Sequence, residues 1–230
     1  MFIKKKILAL VPARSGSKGI KNKNLKKINN LSLIGYTSNF IDKLKIIDKK
    51  ILSTDGLKII REGNKYNFDI VKRPKQLSSD KISDFQVINH VLEKKSIEIN
   101  KYDYLIYLQP TSPIRKVNHL KSALKNVIKK NFHGSWSISR IDKKNHPLKV
   151  LNIEKNILKL YNSKGKKIVA RQQLPETYIR NGVFYIFSIK ELIRQKTIYL
   201  KKIYPSVTPY KVVNIDNLGD LKEFKELLFK

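Results

Sequence analysis

The sequence predicts an α/β fold in which a mostly parallel sheet carries helices on both faces. Short apolar runs typical of buried strands alternate with amphipathic segments typical of helices, and this alternation favours parallel strands joined by helical connections. The length of 230 residues is enough to bury a full core as one domain over residues 1–230. Between residues 145 and 181 the alternation stops, which predicts an insertion within that domain.

Hydrophobic periodicity places the elements in order along the chain. The predicted strands are Ile7–Val11, Ile51–Ser53, Phe68–Val71, Tyr104–Leu108, Ser135–Ser139, Val183–Phe187 and Lys211–Ile215. The predicted helices are Leu33–Leu44, Leu57–Tyr66, Asp84–Lys95, Leu120–Lys129 and Leu218–Phe229. Ligands of such sheets bind beyond the carboxyl ends of the strands. We therefore expect segments 14–23, 53–56 and 109–113 to lie together at one edge.

The stretch from Asn145 to Asn181 contains hairpin-like pieces and no clear amphipathic helix. Two short strands, Ile157–Tyr161 and Lys167–Val169, are predicted on either side of a turn at Asn162–Gly165. Extended antiparallel arms of this kind often join the subunits of a dimer. We therefore predict that residues 145–181 form a dimerisation arm and that the protein is a homodimer.

The composition narrows the class of protein. The chain has no cysteine, so disulfides and thiolate zinc sites are excluded and a reducing compartment is expected. No apolar run approaches the roughly 18 residues that a membrane span needs. These observations predict a cytoplasmic protein without a membrane partner.

A formal charge of +31 is compatible with a protein that binds nucleic acid or anionic membranes. However, the lysines are scattered along the whole chain together with abundant Ile and Asn, and arginine is sparse. This pattern is more typical of a compositional drift than of a binding stripe. We expect no specific nucleic-acid partner, although the positive field will attract anionic substrates.

The first predicted strand ends in a loop of small residues and cations at residues 12–25. Gly16 and Gly19 allow positive φ and close backbone approach, which suits a loop that offers N–H groups to phosphate. The cations of this loop are Arg14, Lys18, Lys21 and Lys23. The spacing matches neither the P-loop nor the dinucleotide-binding pattern. An ordinary strand–helix loop with solvated lysines explains the spacing equally well.

Two polar segments follow other strands of the sheet. Lys72–Pro74 precedes Leu77–Asp80, where Ser or Asp could instead be a helix N-cap. In the segment Leu108–Arg115 two prolines stiffen a turn whose Gln109 and Thr111 side chains are suited to a polar ligand. The alternative is a turn with incidental polar residues and a solvated arginine.

Two more segments lie towards the C-terminus. Ala170–Pro175 carries Arg171 and Gln172, which suit a ligand with a carboxylate and hydroxyl groups, or equally the polar surface of a dimer arm. Asp216 follows the last predicted strand. It is a candidate ligand for Mg²⁺, which binds one or two carboxylates plus phosphate oxygens, or a helix N-cap.

Taken in order, these motifs resemble those of the acylneuraminate cytidylyltransferases, also called CMP-sialic acid synthetases. The resemblance covers essentially the whole chain. The segments that carry it are Ala13–Leu25, Ser53–Gly56, Arg73–Pro74 with Leu77 and Asp80, Gln109–Pro113, His146–Lys149, Arg171–Pro175, Asn181–Gly182 and Ile215–Asp216.

The resemblance implies a Rossmann-like fold of the nucleotidyltransferase type and a role for each motif. CTP would activate a nine-carbon 2-keto sugar acid, with Arg14 and Lys23 as catalytic residues, Mg²⁺ as cofactor and pyrophosphate as product. The implied nucleotide-binding residues are Ala13, Arg14, Ser15, Gly16, Ser17, Lys23, Asn24, Arg73 and Asp84. The implied sugar-binding residues are Gln109, Thr111, Arg171, Gln172 and Tyr185. Lys18 and Lys21 are left in supporting or solvated roles.

The metal would be held by Asp216 and Asn214. Asn214 stands where many family members carry an acid, and its amide oxygen still offers a ligand with one negative charge fewer. None of the four histidines lies in a motif that asks for a general base, so metal-assisted deprotonation of the sugar hydroxyl is expected.

Several alternatives stay open. N-acetylneuraminate, legionaminate and pseudaminate all fit the motifs, and the eight-carbon acid Kdo is a further candidate within the same superfamily. The rival from another class is a basic nucleic-acid-binding protein, although the charge is not localised.

Overall fold

A seven-stranded sheet organises the larger of the two units into which the chain divides. The computed structural model describes residues 5–94 and 97–229. The strands are β1 Ile7–Pro12, β2 Lys27–Ile28, β3 Leu31–Ser32, β4 Lys49–Thr54, β5 Asp69–Lys72, β6 Tyr104–Tyr107, β7 Gly134–Arg140, β8 Leu151–Glu154, β9 Ile157–Leu160, β10 Tyr178–Ser188 and β11 Ile203–Val207. The helices are α1 Leu33–Leu44, α2 Leu57–Asn64, α3 Asp84–Leu92, α4 Val117–Lys129, α5 Ile189–Gln195 and α6 Leu218–Leu228.

The strand order across the sheet is β11-β7-β10-β6-β1-β4-β5. Strand β1 pairs in parallel with β4 and β6, so that Leu10 lies opposite both Ile51 and Tyr107, and β5 continues in parallel from β4. Strand β10 runs antiparallel to β6. The predicted fold class is confirmed. The carboxyl ends of β1, β4, β5 and β6 share one edge.

Strand β1 shows why the sheet is covered on both faces. Its residues from Ile7 to Val11 are fully buried, and successive side chains point to opposite faces. Ile7, Ala9 and Val11 pack with residues of α1 and α4, whereas Leu8 and Leu10 pack with residues of α3 and α5. A continuous apolar run is therefore a central strand between two layers of helices.

One predicted strand of the sheet was wrong. Residues Lys211–Ile215 form no strand, and the edge strand is β11, which was not predicted. Val213 and Ile215 are buried against α6 in a small third cluster, so their alternation reflects burial beneath a helix rather than strand pairing. Strand β11 contains Pro205, which an edge strand tolerates because one side of it needs no ladder bonds.

The helix predictions were right in position and less accurate at the ends. Helix α5 was missed because its seven residues are too short for a periodic signal. Helix α4 begins three residues before the predicted Leu120, and α2 ends two residues before Tyr66. Helix α3 begins at Asp84 as predicted, with Ser83 and Gln86 as a capping box, and ends at Leu92; Lys95, where the prediction ended, lies outside the described residues.

The second unit comprises Ile138–Arg180, and the first unit contains the chain on either side of it. Its hairpin joins β8 to β9 through Lys155 and Asn156, which both have positive φ as a tight hairpin turn requires. The predicted hairpin was therefore wrong in one of its strands, because β9 pairs with β8 and not with Lys167–Val169. Lys167–Val169 is not a strand, and residues 163–167 form a 3₁₀ turn.

No helix among residues 5–94 and 97–229 is long and apolar enough to cross a membrane. The predicted location in the cytoplasm and the predicted dimerisation arm stay predictions.

Candidate active site

A cavity of about 390 Å³ opens at the carboxyl-end edge of the sheet. It lies where β1, β5 and β6 end, beside the first turn of α3 and the segment that precedes α6. Its lining residues are Pro12, Arg14, Ser17, Lys23, Asn24, Arg73, Ser79, Asp80, Ile82, Asp84, Val87, Tyr107, Gln109, Pro110, Thr111, Asn214 and Asp216. Residues from four separate sequence segments, 12–24, 73–87, 107–111 and 214–216, thus meet in one place.

Arg14 lies at the start of the loop that follows β1 and reaches a different segment of the chain. Its guanidinium donates to the backbone oxygen of Ser78 at 3.3 Å and to the carboxylate of Asp80. Lys18 Nζ lies 2.6 Å from the other oxygen of Asp80. Lys18 and Arg14 together hold the pKa of the Asp80 carboxyl below its ordinary value. Asp80 is therefore a shared counter-ion for two cations of the loop.

Lys23, near the end of the same loop, pairs with the segment that precedes α6. Its Nζ lies 2.7 Å from Asp216 Oδ1, and the Lys23 side chain is 15% exposed whereas that of Asp216 is 73% exposed. The helix N-cap is Asn217, whose side chain accepts from Asp220 N, so capping is not the role of Asp216. The Asp216 carboxylate is thus exposed at the cavity, where a ligand can contact it beside Lys23.

The two glycines of the loop differ in what they permit. Neither Gly16 nor Gly19 has positive φ, so that part of the prediction was wrong. A Cβ on Gly19 would lie 2.1 Å from the backbone oxygen of Asp216, whereas a Cβ on Gly16 would meet nothing within 4 Å. Close backbone approach is confirmed at Gly19, which lets the loop pack against the Asp216 segment.

Other residues of the loop fix its backbone. The Ser15 N–H and hydroxyl donate to the two carboxylate oxygens of Asp55 at 2.8 and 2.7 Å. The buried Asn24 side chain donates to the backbone oxygen of Arg14 at 3.1 Å. Ala13 is buried and donates its N–H to Ser53 O at 3.0 Å. The loop is therefore bonded to the turn that follows β4, as expected for neighbouring strands.

Arg73 is the most unusual cation of the cavity. It is 5% exposed, and its Nε has no hydrogen-bond partner among the described residues. Burial lowers the pKa of the Arg73 guanidinium. Because a buried donor without a partner costs free energy, a ligand with an acceptor at this point would gain more than it would on the surface.

Beside Arg73, the hydroxyl of Tyr107 donates to Asp84 Oδ1 at 2.8 Å. Burial and the neighbouring Asp84 carboxylate raise the pKa of Tyr107 well above its usual value, so the hydroxyl keeps its proton. Tyr107 is the last residue of β6 and was not among the candidate site residues. Its position at the carboxyl end of a predicted strand is the signal that could have found it.

Gln109 and Thr111 lie on the turn after β6, and Arg115 holds that turn in place. The Arg115 guanidinium donates to the backbone oxygens of Gln109 and Val183, the latter at 2.8 Å, and burial lowers its pKa to about 9. Arg115 is therefore not the solvated arginine that the sequence offered as an alternative, and it does not line the cavity. It bonds to backbone oxygens of two neighbouring segments beneath the cavity.

Gly182, which follows Asn181 in β10, packs against the same turn. It has a φ of +71°, and a Cβ there would lie 2.7 Å from both Gln109 Oε1 and Ser112 Oγ. Ser112 Oγ in turn donates to Asn214 Oδ1 at 2.6 Å. The amide oxygen predicted as a metal ligand is thus already hydrogen-bonded within the protein.

The donor set of the cavity fits Mg²⁺ in one respect. Asp216 offers an exposed carboxylate, and Mg²⁺ is usually held by one or two carboxylates together with substrate phosphates. Among the described residues, no group of three His, Cys, Asp or Glu side chains is placed to hold a metal by itself. A metal at Asp216 would therefore depend on the ligand for most of its oxygen atoms.

The remaining predicted residues lie outside the cavity lining. Tyr185 is buried in β10, where its ring stacks on Tyr107 at a centroid distance of 6.4 Å. Arg171 and Gln172 are exposed residues of the second unit, and Arg171 Nη2 lies 3.5 Å from Asp142 Oδ1. Their assignment to the sugar stays a prediction. The ligand role of Gly16 stays a prediction as well.

Comparison with known proteins places the chain in a family. A family profile described as cytidylyltransferase matches residues 8–228. The chain belongs to this cytidylyltransferase family. The resemblance to the acylneuraminate cytidylyltransferases is confirmed, and with it the nucleotidyltransferase class.

Two relatives show the range of this cytidylyltransferase family. The N-acylneuraminate cytidylyltransferase of Escherichia coli O18:K1:H7 is 38% identical over 120 residues, which are 52% of this chain and 28% of that protein. The chain thus spans less than a third of that relative. The pseudaminic acid cytidylyltransferase of Campylobacter jejuni serotype O:2 is 29% identical over 227 residues, covering 98% of this chain and 97% of the relative.

A solved structure supports the fold. A CMP:2-keto-3-deoxy-manno-octonic acid synthetase complexed with CTP superposes with a TM-score of 0.70 at 13% identity, over 97% of this chain and 98% of that one. At this identity the likeness shows the fold alone. The nucleotidyltransferase type of the sheet, predicted from the motifs, is confirmed.

Proposed function

We propose that this family member transfers CMP from CTP to the anomeric hydroxyl of a nonulosonic acid and releases pyrophosphate. The observation that carries the proposal is the cavity at the carboxyl-end edge, where Arg14, Lys23 and Arg73 supply positive charge beside the carboxylate of Asp216. Relatives named for N-acylneuraminate and pseudaminic acid support the class of sugar.

The cations suit an in-line displacement at phosphorus. The anomeric oxygen gives up its proton to water and forms a bond to the α-phosphorus, the bond from that phosphorus to the bridging oxygen breaks, and pyrophosphate leaves with the electron pair. Such reactions are accelerated mainly by alignment and by charge stabilisation. Arg14 and Lys23, at the two ends of the loop after β1, would stabilise the negative charge on the α-phosphoryl group and on the leaving pyrophosphate.

Arg73 and Asp84 are proposed to select the base. Cytosine presents two acceptors, O2 and N3, beside one donor, the N4 amino group. The unpartnered Nε–H of Arg73 supplies a donor, and Asp84, already held by the Tyr107 hydroxyl, supplies a carboxylate that accepts. Uracil replaces the amino group by an acceptor, which the carboxylate would repel. CTP is therefore the expected nucleotide.

Mg²⁺ is the proposed cofactor. Asp216 would hold it together with phosphate oxygens, and Asn214 would contribute less because its oxygen already accepts from Ser112. The ion would supply charge neutralisation and a lower pKa for the attacking hydroxyl. Lys23 would then exchange its carboxylate partner for a phosphate.

The second unit is proposed to join two copies of the chain. Leu151, Ile153, Leu158 and Leu160 share one face of the β8–β9 hairpin, because Leu151 lies opposite Leu160 and Ile153 opposite Leu158. Ile153 is 72% exposed and Leu158 is 62% exposed. A second copy would cover this apolar face. Arg171 and Gln172 of this unit are proposed to contact the sugar.

In the first unit, Gln109 and Thr111 of the cavity lining are proposed to bind the sugar. A cytoplasmic location is proposed as well.

The test combines a nucleotide pair with a panel of sugars. Purified protein with Mg²⁺ is given CTP or UTP together with N-acetylneuraminate, legionaminate, pseudaminate or Kdo, and pyrophosphate release is followed. Release with CTP and at least one nonulosonic acid, and little with UTP, is expected. Release with Kdo alone would replace the proposed sugar class, and no release with any sugar would overturn the reaction.

A further inference from the structure

Two of the cations that line the cavity, Arg14 and Lys23, are already paired with carboxylates of the protein. Lys23 pairs with Asp216, whereas Arg14 and Lys18 share Asp80. The Asp216 carboxylate has a role in the proposed reaction as a metal ligand. Asp80 has none, although it lines the cavity and belongs to a segment well separated in sequence from the loop.

The position of Asp80 is unfavourable for a ligand with several negative charges. Its carboxylate is 42% exposed and bonds to Arg14, which a phosphate group in the cavity would contact, and to the exposed Lys18. Like charges repel, and each cation has a limited number of donors, so the carboxylate and a phosphate compete for them. A protein that only had to bind phosphate would be better without this acid.

We propose that Asp80 is an internal competitor for the phosphate-binding cation Arg14, with Lys18 as its second partner, and that it promotes the release of pyrophosphate. The proposal rests on the phosphate-binding role of the loop in the proposed function. When pyrophosphate leaves, Asp80 takes back both cations. Its negative charge thus replaces that of the departing product, and the cations are not left unpaired.

The cost of displacing Asp80 is the same for substrate and product, but the two ligands differ in what offsets it. CTP gains additional binding from its base, for which Arg73 and Asp84 are available. Pyrophosphate has no base and depends on the cations of the loop alone. In the wild type pyrophosphate is therefore the weaker ligand, and removing the Asp80 charge should tighten the binding of both ligands by a similar factor.

The geometry permits a clean substitution. Arg14 also donates to the backbone oxygen of Ser78 at 3.3 Å, so it keeps one bond to the Asp80 segment when the carboxylate is removed. Asp69 offers a matched control for the loss of one negative charge. Asp69 Oδ2 pairs with Lys49 Nζ at 2.9 Å. Asp69 is the first residue of β5, so it lies at the amino end of that strand, away from the cavity at the carboxyl end.

The experiment is a titration of each protein with pyrophosphate alone, followed by calorimetry, and then with CTP. For Asp80→Asn we expect pyrophosphate to bind roughly tenfold more tightly than to the wild type, the size of one charge-assisted hydrogen bond, with a comparable gain for CTP. Asp69→Asn and Asp80→Glu, which keeps the charge, should bind like the wild type. Product inhibition by pyrophosphate should strengthen in Asp80→Asn alone.

A gain of binding cannot come from a damaged fold, so this readout separates the proposal from a structural role. Equal or weaker pyrophosphate binding by Asp80→Asn would overturn the proposal, and weaker binding would mean that Asp80 orients Arg14. If neither protein binds pyrophosphate or CTP, the phosphate role of the loop fails as well. If both bind and no sugar reacts, only the proposed reaction fails.

Discussion

The cavity of the first unit and the hairpin of the second unit leave different kinds of groups without partners. In the cavity Arg14 and Lys23 already have carboxylate partners, and the Nε–H of the buried Arg73 is an unused donor. On one face of the hairpin the exposed groups are apolar, with Ile153 and Leu158 side by side. The first pattern prepares a region for a polar ligand, and the second prepares a region for another protein surface.

The largest effect is expected from Lys23→Ala. Because Lys23 would stabilise charge that develops on the phosphate groups, the change should lower kcat by about 100-fold or more. Lys21→Ala, in the same loop but outside the cavity lining, is the matched control and should stay near wild-type kcat. Steady-state pyrophosphate release measures both. Equal losses in the two variants would mean that the overall charge of the loop matters and not the cavity.

Arg73→Met tests whether the buried Arg73 guanidinium binds the nucleotide. The KM for CTP should rise by roughly 10- to 100-fold, since hydrogen bonds of a charged group contribute about 1.5–3 kcal/mol. Stability should not fall, because an apolar side chain of similar length replaces a buried guanidinium whose Nε–H has no partner among the described residues, and the desolvation cost of that group is removed. Chemical denaturation gives the second measurement. A large loss of stability would mean that Arg73 supports the fold instead.

The two loop glycines form a pair that differs only in its surroundings. Gly19→Ala should lower the free energy of unfolding by about 1–3 kcal/mol, because the new Cβ would overlap the backbone oxygen of Asp216. Gly16→Ala, with open space around its Cβ and no positive φ, should change it by less than about 0.5 kcal/mol. Urea denaturation of both variants tests the close approach. Similar values for the two would contradict it.

The smallest effect on the folded chain is expected from Ile153→Lys in the hairpin. The side chain is exposed, so the free energy of unfolding per chain should change by no more than about 0.5 kcal/mol. Association should be affected much more, because a charge would be buried at the proposed contact between copies. Light scattering coupled to size exclusion should show a dimer for the wild type and a monomer for the variant. Lys159→Ala, on the opposite face, should remain a dimer.

The framework of the sheet was predictable because it depends on local patterns. Strand β1 is a continuous apolar run, and Ser83 with Gln86 marks the start of α3. Once the strands were parallel, their carboxyl ends had to share an edge, so Arg14, Lys23 and Gln109 could be placed together, and the family resemblance added Arg73. The order of the motifs added the family, which the profile over residues 8–228 confirms.

Local patterns gave wrong strands where residues are buried by something other than strand pairing. Val213 and Ile215 alternate like a strand but lie beneath α6, and the true edge strand β11 contains a proline. In the second unit the two strands of the hairpin are joined by the turn at Lys155–Asn156. The sequence predicted that the joining turn would be Asn162–Gly165, but residues 163–167 form a 3₁₀ turn that follows the hairpin.

By itself the sequence determined the class of fold, the edge at which the site lies and the cations that reach it. Only the tertiary structure decided their partners: Asp80 for Arg14 and Lys18, Asp216 for Lys23, and none for the Nε of Arg73 within the described part of the chain. The physical reason is distance along the chain. Lys23 and Asp216 are separated by 193 residues, and no periodicity in the sequence reports which side chains the fold brings within 3 Å.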